Sequence, residues 1–450
     1  MPQRLWAILA VTCGVALSVM NGAIVNVALP TLAEGLGVSP ADSIWTVNAY
    51  QLAVMVSLLS FSALGDTVGY RRIYVGGLVL FTLSSAACAL SGSFAMLIVS
   101  RMAQGLGAAA ITSVNTSLIR TIYPRVQLAF GLGINATVVA VSSVIGPTAA
   151  AAVLSVGDWP WLFAMSVPVG VAALALGSRF LPDNPVRTAG RRFEWRDGAM
   201  NALTFGLLIL SIEGFSHGVD PRIVGLTAAG CLVVGFFFVR GQLRARYPVL
   251  PFDLLRIPIF AVSVCTSICS FMAHTLAMVA LPFYLQHAFG YDDVQTGLLM
   301  TAWPAVIMVV APLSGLLAAR MHPGILGGAG LFAMAAGLFL LAWLPDAPTV
   351  GGIVWRLVLC GAGFGLFQSP NNSIMIASAP ADRSGSASGM LGTARLLGQT
   401  TGAALVALLF HLVPDGATHA AMTLAGGFAL TGAAISMTRL SLRLPDQLKR

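Results

Sequence analysis

Charged side chains are scarce in this sequence, and their scarcity argues against a water-soluble protein. Asp, Glu, Lys and Arg account for 9% of the 450 residues, whereas soluble domains carry about a quarter. Hydrophobic residues account for 57%, and soluble cores do not grow so large without splitting into domains. In a bilayer, by contrast, each helix needs roughly 20 apolar residues and pairs its own backbone polar groups. The composition therefore predicts an all-α protein with many membrane spans.

Lysine, cysteine and histidine are also rare, and each shortage argues against a class of function. Lys449 is the only lysine, and the arginines are scattered along the chain, so no nucleic-acid binding is expected. The six cysteines lie in apolar segments without a Cys-x-x-Cys spacing, which is typical of small buried side chains. The spans offer one histidine well inside a span and no paired carboxylates, so we expect no metal, no cofactor and no enzymatic reaction.

Long apolar segments separated by polar breaks make up nearly the whole sequence. The first begins after Arg4 and continues to residue 29, which is too long for a cleaved leader, so we expect it to remain as a helix. We predict fourteen membrane spans, at residues 5–29, 43–65, 73–92, 94–118, 128–154, 160–181, 198–216, 223–239, 258–288, 294–319, 324–344, 350–377, 384–410 and 418–438.

The distribution of basic residues gives the orientation of these spans. An even number of spans places both termini on one side of the membrane. With the N-terminus in the cytoplasm, 20 of the 24 basic residues fall in cytoplasmic segments, Arg439 among them, and the outer loops carry mainly acids. We therefore predict that both termini are cytoplasmic. The alternation also supports the number of spans, because one missing span would reverse it.

Three short motifs recur in the same order at a separation of 252 to 255 residues. The pairs are Val27–Pro30 with Val279–Pro282, Ser62–Thr67 with Gly315–Arg320, and Arg101 with Arg356, each arginine preceding two glycines. We predict a six-helix bundle at residues 1–181, a linker with two additional helices at 182–257, and a second six-helix bundle at 258–450. Repeated halves are typical of transporters that open a mid-membrane site to each side in turn.

Several segments match one family in the expected order. They are Ile24–Pro30 in the first span, Trp45 and Tyr50 in the second, Gly65–Arg72 in the loop that follows, Arg101–Gly107 in the fourth span, Gly146 with Pro147 in the fifth, and Ala394–Gly398 in the thirteenth. With these motifs the chain resembles the major facilitator superfamily over nearly its whole length. Within that superfamily it resembles the fourteen-span drug:proton antiporter family.

The resemblance implies a fold of two six-helix bundles plus two extra helices, and a function in multidrug efflux. Such a protein exports small amphipathic drugs, antiseptics or natural products across the inner membrane of a bacterium. The proton is the coupling ion that the family implies. The expected partners are therefore the lipid bilayer, a small amphipathic substrate and the proton, and we expect a monomer.

The sequence departs from the family at the residue that is often assigned to proton coupling. The family has an Asp in the first span where this chain has Asn21, and an amide does not titrate. Two alternatives stay open: proton-driven export, or a facilitator or importer without proton coupling. Smaller departures keep the side chains small or polar and leave the fold intact; they are Ser62, Thr67, Ala150 and Ala151.

Arg101 is the strongest single candidate for function. A charge in the middle of a span costs several kcal/mol unless it meets a partner or a hydrated cavity. Gln104, Gly105 and Ala108 follow at i+3, i+4 and i+7, which places them on the same helical face. We expect this face to point into a solvent-filled chamber between the two halves. The resemblance links an arginine at this position to proton transfer.

Other polar residues are assigned to the cavity, to proton coupling or to gating. The predicted cavity residues are Asn21, Asn48, Gln51, Arg101, Gln104, Asn115, His274, Gln368, Asn371 and Arg395. Proton coupling is assigned to Arg101, to Glu213 as the only acid clearly within a span, and to His274, whose side chain titrates near neutral pH. Gating is assigned to the loop after the second span and to the bend in the fifth, with residues Asp66, Gly69, Arg71, Arg72, Gly146 and Pro147.

Overall fold

The computed structural model describes residues 2–123, 128–182, 195–216, 219–244, 252–318, 321–345, 347–379, 384–413 and 416–442. Every regular element within these ranges is a helix. The α-helices are α1 (Pro2–Val27), α2 (Leu29–Leu36), α3 (Pro40–Ser43), α4 (Trp45–Val68), α5 (Tyr70–Ala89), α6 (Phe94–Ile122), α7 (Leu128–Leu154), α8 (Pro160–Ala164), α9 (Ser166–Phe180), α10 (Trp195–Ser216), α11 (Pro221–Arg244), α12 (Pro258–Phe283), α13 (Asp293–Leu317), α14 (Pro323–Ala342), α15 (Val350–Ser378), α16 (Ser384–Leu412) and α17 (Ala417–Met437). Short 3-10 helices lie at Phe252–Arg256 and Thr438–Ser441, and a π-helical turn lies at Tyr284–Ala288.

The helices confirm an all-α, multi-pass membrane protein. Within the described ranges, thirteen helical segments are long and apolar enough to cross a membrane. They account for thirteen of the fourteen predicted spans. The remaining predicted span, 198–216, lies within α10, which is not among the thirteen.

Polar caps and glycines set the ends of several helices. Ser93 begins α6, because its Oγ accepts the Met96 N–H at 3.3 Å, and Thr349 begins α15 by accepting the Gly352 N–H at 3.1 Å. Between α4 and α5 the chain turns at Gly69, whose φ of 114° is a conformation that favours glycine. These local signals set the start of α6 and α15 and the turn between α4 and α5.

The chain divides into two compact units, Met1–Gly206 and Leu207–Arg450. The division falls inside α10, whose first part packs on the N-terminal unit: Asn201 Nδ2 donates to the carbonyl of Val56 in α4 at 3.0 Å. The predicted boundaries after residues 181 and 257 set both additional helices apart from the two bundles, and they stay predictions.

Glycines bring three helices of the N-terminal unit into backbone contact. If residue 105 of α6 carried a Cβ atom, that atom would overlap the carbonyl oxygen of Tyr50 in α4, at 2.4 Å. Only glycine therefore fits at this position. A Cβ at Gly107, on the other side of α6, would lie 2.6 Å from the backbone nitrogen of Phe81 in α5. Helices in lipid rely on such small residues for close packing, because no hydrophobic force drives them together.

The C-terminal unit repeats this packing with the glycines that follow Arg356. A Cβ at Gly361 of α15 would lie 2.6 Å from the carbonyl oxygen of Trp303 in α13. A Cβ at Gly363 would lie 2.4 Å from the carbonyl oxygen of Gly330 in α14. The two glycine pairs thus hold equivalent helices in the two units, in agreement with the predicted repeat.

Replacing Gly105 by Ala is expected to destabilise the protein by about 1–3 kcal/mol, because the added methyl group overlaps the Tyr50 carbonyl. Gly76→Ala in α5 is the matched control, since no atom lies within 4 Å of a Cβ at that position. Thermal unfolding of the purified protein in detergent measures both changes. Equal melting temperatures for the two variants would contradict the close contact between α4 and α6.

Candidate functional site

Arg101 lies two turns into α6 and binds three helices through its guanidinium group. Its Nε donates to the carbonyl of Thr46 in α4 at 2.9 Å. Its Nη1 donates to Asn21 Oδ1 in α1 and to Gln104 Oε1 one turn further along α6. The contact of Gly105 with α4 brings the Thr46 carbonyl within reach. Only 1% of the Arg101 surface is exposed.

Aromatic rings and one further hydrogen bond complete this environment. The guanidinium carbon lies 4.4 Å from the centroid of the Tyr50 ring and 5.7 Å from that of Phe163 in α8, and both contacts favour a cation. Gln104 Nε2 donates to Ser85 Oγ in α5 at 2.7 Å. We call Arg101 and these partners, with Asn21 and Thr46, the Arg101 cluster. It connects α1, α4, α5, α6 and α8.

The acceptors of the Arg101 cluster are neutral. They are a backbone carbonyl and two side-chain amides, and no carboxylate of the described residues pairs with the guanidinium. Asn21, which stands where the family has an Asp, keeps its Nδ2 buried without a hydrogen-bond partner in the described part of the chain. The sequence predicted that Arg101 faces a solvent-filled chamber, whereas the structure encloses the guanidinium inside the N-terminal unit.

The other predicted cavity residues of the N-terminal unit lie outside this cluster. Asn48 is buried in α4 and Gln51 is half-buried one turn further along. Gln51 Oε1 has no hydrogen-bond partner among the described residues. Asn115 Nδ2 donates to Asn135 Oδ1 at 2.9 Å and so connects α6 to α7. Nothing in these contacts tests a role in substrate binding.

The predicted gating residues of the loop make contacts within the N-terminal unit. Arg71 Nη2 donates to the carbonyl of Ser178 near the end of α9 at 2.5 Å, which suits a cation at the C-terminus of a helix. Arg72 is exposed. Asp66 lies in the last turn of α4 and Glu213 in α10, but their side chains are outside the described part of the structure. The gating and coupling roles of these residues stay predictions.

At the position of the predicted bend in the fifth span, α7 lies in close contact with α1. A Cβ at Gly146 would lie 2.6 Å from the Cβ of Ala23 in α1. Pro147 follows inside α7 and removes one backbone hydrogen bond from that helix. The close approach of α7 to α1 and the missing hydrogen bond in α7 thus occur at adjacent residues, as the predicted gating role requires.

His274 lies in α12, within an aromatic cluster of the C-terminal unit. Its imidazole stacks on Phe364 of α15, with centroids 4.8 Å apart and planes at 23°. It also meets Trp303 of α13 edge to face, at 5.3 Å and 72°. The ring centroid of Phe364 lies 5.4 Å from that of Phe271 in α12 and 6.5 Å from that of Phe367 in α15. We call these five residues the His274 cluster.

The C-terminal unit contains a second buried arginine, Arg439, which the sequence analysis assigned only to a cytoplasmic segment. Arg439 lies in the 3-10 helix after α17 and is 0% exposed. Its Nη2 donates to Asn371 Oδ1 of α15, and Asn371 Nδ2 donates to Ser267 Oγ of α12 at 2.7 Å. The Nε and Nη1 of Arg439 have no hydrogen-bond partner among the described residues.

Room for the Arg439 side chain comes from glycines at the start of α14. A Cβ at Gly324 would lie 3.2 Å from the Cβ of Arg439, and one at Gly327 would lie 3.7 Å from its Nη1. Sequence reasoning places an arginine after the last span in the cytoplasm, because the charge distribution says nothing about a side chain that turns back. In the sequence, the glycines at the start of α14 are a signal that another side chain packs closely there.

The remaining predicted residues of the C-terminal unit do not join these clusters. Gln368 is half-buried in α15, and Arg395 is exposed on α16. Arg356, the repeat partner of Arg101, bonds its own helix: its Nη1 donates to the Gly352 carbonyl at 2.6 Å, and its guanidinium lies over Trp355 at 4.6 Å. The repeat therefore preserves the glycine contacts and not the arginine cluster.

Thirteen membrane-crossing helical segments, repeated packing in two units and charges held inside the spans define a multi-pass membrane transporter. A family model of the Major Facilitator Superfamily matches residues 11–403. The chain belongs to this superfamily.

Relatives extend over nearly the whole chain. The protein is 56% identical over 441 residues to the uncharacterized transporter YebQ of Escherichia coli (strain K12), covering 98% of this chain and 96% of YebQ. It is 27% identical to the riboflavin transporter RibZ of Clostridioides difficile (strain 630), covering 91% of this chain and 89% of RibZ. It is 31% identical to the tetracenomycin C resistance and export protein of Streptomyces glaucescens, covering 90% of this chain and 76% of that protein.

A solved structure supports the fold independently of close sequence similarity. The crystal structure of a POT family transporter in complex with a thioalcohol-conjugated peptide superposes with a TM-score of 0.75. The two proteins are 14% identical, and the match covers 99% of this chain and 96% of the other. At that identity the likeness shows the fold alone.

Replacing Arg101 by Met is expected to destabilise the protein by about 2–5 kcal/mol, because the side-chain acceptors of Asn21 and Gln104 are left buried without a donor. Arg439→Met is the matched comparison and is expected to cost less, about 1–3 kcal/mol, because it leaves only one buried acceptor, Asn371 Oδ1, without a donor. Thermal unfolding in detergent measures both. A larger loss for Arg439→Met would contradict this assignment.

Proposed function

We propose that this protein exports small amphipathic compounds, such as drugs, antiseptics or natural products, across the inner membrane of a bacterium. It would do so by alternating access, as a fourteen-span member of the drug:proton antiporter family. The observation that carries the proposal is the match to a resistance and export protein over 90% of the chain. The family's Arg101–Gly107 motif agrees with this choice.

The Arg101 cluster suits alternating access because that mechanism needs bundles that keep their internal packing while access changes sides. One guanidinium binds acceptors on α1, α4 and α6, and Gln104 extends the contacts to α5. With 1% of its surface exposed, Arg101 is proposed to hold the N-terminal unit together. We do not assign it a direct contact with substrate.

The charge of the Arg101 cluster favours substrates that are neutral, zwitterionic or anionic. No carboxylate among the described residues balances the positive charge of the guanidinium, because its hydrogen-bond acceptors are a backbone carbonyl and two amides. An Asp at position 21 would cancel that charge, and Asn21 does not. The resulting field attracts a cation less than the field of a family member with the acid.

A second candidate function is facilitated diffusion or uptake without proton coupling. Asn21 favours this candidate, since the hydrogen bond from Arg101 to an amide does not depend on a proton. One relative is named a riboflavin transporter and not a resistance protein. If export is proton-driven, His274 is the proposed coupling residue, because it is half-buried in a span and not enclosed like Arg101.

Expression in an efflux-deficient bacterial host is expected to raise the minimum inhibitory concentrations of neutral or anionic amphipathic drugs, because export lowers their concentration inside the cell. Arg101→Ala is expected to remove this protection, whereas Arg222→Ala, at an exposed position near the start of α11, serves as the control. A susceptibility panel measures the effect. Protection against divalent cationic dyes alone would contradict the substrate preference, and no protection at all would contradict export.

A pH gradient imposed on proteoliposomes is expected to accelerate transport by the wild-type protein, and His274→Gln is expected to remove that acceleration, because glutamine does not titrate. Fluxes of a transported drug and of riboflavin, with and without the gradient, measure both effects. A wild-type flux that is the same with and without the pH gradient would favour the second candidate function. In that case, a gain of gradient dependence in Asn21→Asp would place the difference at the Arg101 cluster.

A further inference from the structure

The His274 cluster holds two buried polar atoms that its own contacts do not satisfy. Trp303 is fully buried, and its Nε1–H has no acceptor among the described residues. The Nδ1 of His274 is also buried without a partner in the described part of the chain. Buried polar groups are nearly always hydrogen-bonded in folded proteins, so two unpaired polar atoms in one cluster are unusual. A ligand that supplies an acceptor to Trp303 Nε1 explains the first of these atoms.

The backbone of α13 at Trp303 lies against α15. A Cβ at Gly361 would lie 2.6 Å from the Trp303 carbonyl, so α13 and α15 touch at this turn. Phe364 follows Gly361 by three residues and therefore lies on the same side of α15. The His274 imidazole contacts both rings, with centroids 5.3 Å from Trp303 and 4.8 Å from Phe364, so a ring that takes its place also meets both.

No hydrogen bond fixes the His274 side chain. It is half-buried, makes no hydrogen bond to any of the described residues, and contacts the rings of Phe364 and Trp303. Ring contacts of this kind are individually modest. An aromatic ring of a ligand can therefore take the place of the imidazole on the face of Phe364 at small cost.

We propose that the His274 cluster is a binding subsite for planar aromatic compounds that carry a hydrogen-bond acceptor. The ring of the compound stacks on Phe364 in place of the His274 imidazole, and its acceptor receives the hydrogen bond of Trp303 Nε1. An indole nitrogen donates only, so the ligand group that faces it must accept. The inference rests on the proposed function only in taking such compounds to be transported.

The test uses two neutral planar probes of similar shape: acridone, which has a ring carbonyl, and anthracene, which has no acceptor. Binding is followed by the fluorescence anisotropy of each probe on titration with the full-length protein in nanodiscs, with empty nanodiscs as the blank. Trp303→Phe keeps the ring and removes the N–H. It is expected to weaken acridone binding by about two- to tenfold and to leave anthracene binding unchanged.

His274 gives a result of opposite sign. His274→Ala removes the competing ring and is expected to tighten the binding of both probes by about two- to tenfold. His274→Phe keeps a ring on Phe364 and is expected to leave binding near that of the wild type. Trp343→Phe, in an exposed tryptophan beyond the end of α14, is the control for the loss of an indole elsewhere in the same unit.

The proposal is overturned if the wild type does not bind acridone, if Trp303→Phe weakens both probes equally, or if His274→Ala weakens binding. Binding is measured without transport or a gradient, which separates this inference from the proposed function. A protein that binds acridone as described and protects no host would contradict export alone. A protein that exports, but whose binding does not respond to Trp303, would contradict the subsite alone.

Discussion

Burying a guanidinium within a bilayer costs several kcal/mol unless hydrogen bonds replace its lost hydration. Arg101 has no counterion among the described residues and meets the requirement with neutral acceptors on α1, α4 and α6, together with the ring of Tyr50. The guanidinium has five N–H donors, and one neutral acceptor satisfies only one of them. Several acceptors must therefore lie around the same side chain. The packing of the N-terminal unit therefore depends on three helices meeting at one side chain.

That convergence needs backbones in contact, and glycines provide it. Gly105 lets α4 approach α6, and Gly361 lets α13 approach α15 in the C-terminal unit. The charge that accompanies the first contact is not repeated with the second, since Arg356 bonds a carbonyl of its own helix. The two halves thus share their packing and differ in their electrostatics.

Composition and long apolar segments were enough to predict thirteen of the helical spans, because lipid allows few alternatives to a helix of a given length. The repeat was predicted from three recurring motifs. Side-chain directions were not predictable in the same way. Arg101 was expected to face a chamber, but Thr46 supplies a backbone carbonyl that no sequence pattern reveals. Arg439 was assigned to a cytoplasmic segment, and counting charges could not show that its side chain is buried against Asn371. The pairing of His274 with Trp303 joins α12 to α13, and neither residue has a sequence signal for the other.

The amide at position 21 has a consequence for coupling. A carboxylate there would bind Arg101 strongly when ionised and weakly when protonated, so the contact between α1 and α6 would respond to pH. Asn21 makes that hydrogen bond independent of protons. Under the proposed function, a proton-dependent step begins at His274, whose imidazole contacts the rings of Phe364 and Trp303. If a substrate displaces the imidazole from Phe364, binding and proton exchange occur at one side chain, which couples them without an acid in the first helix.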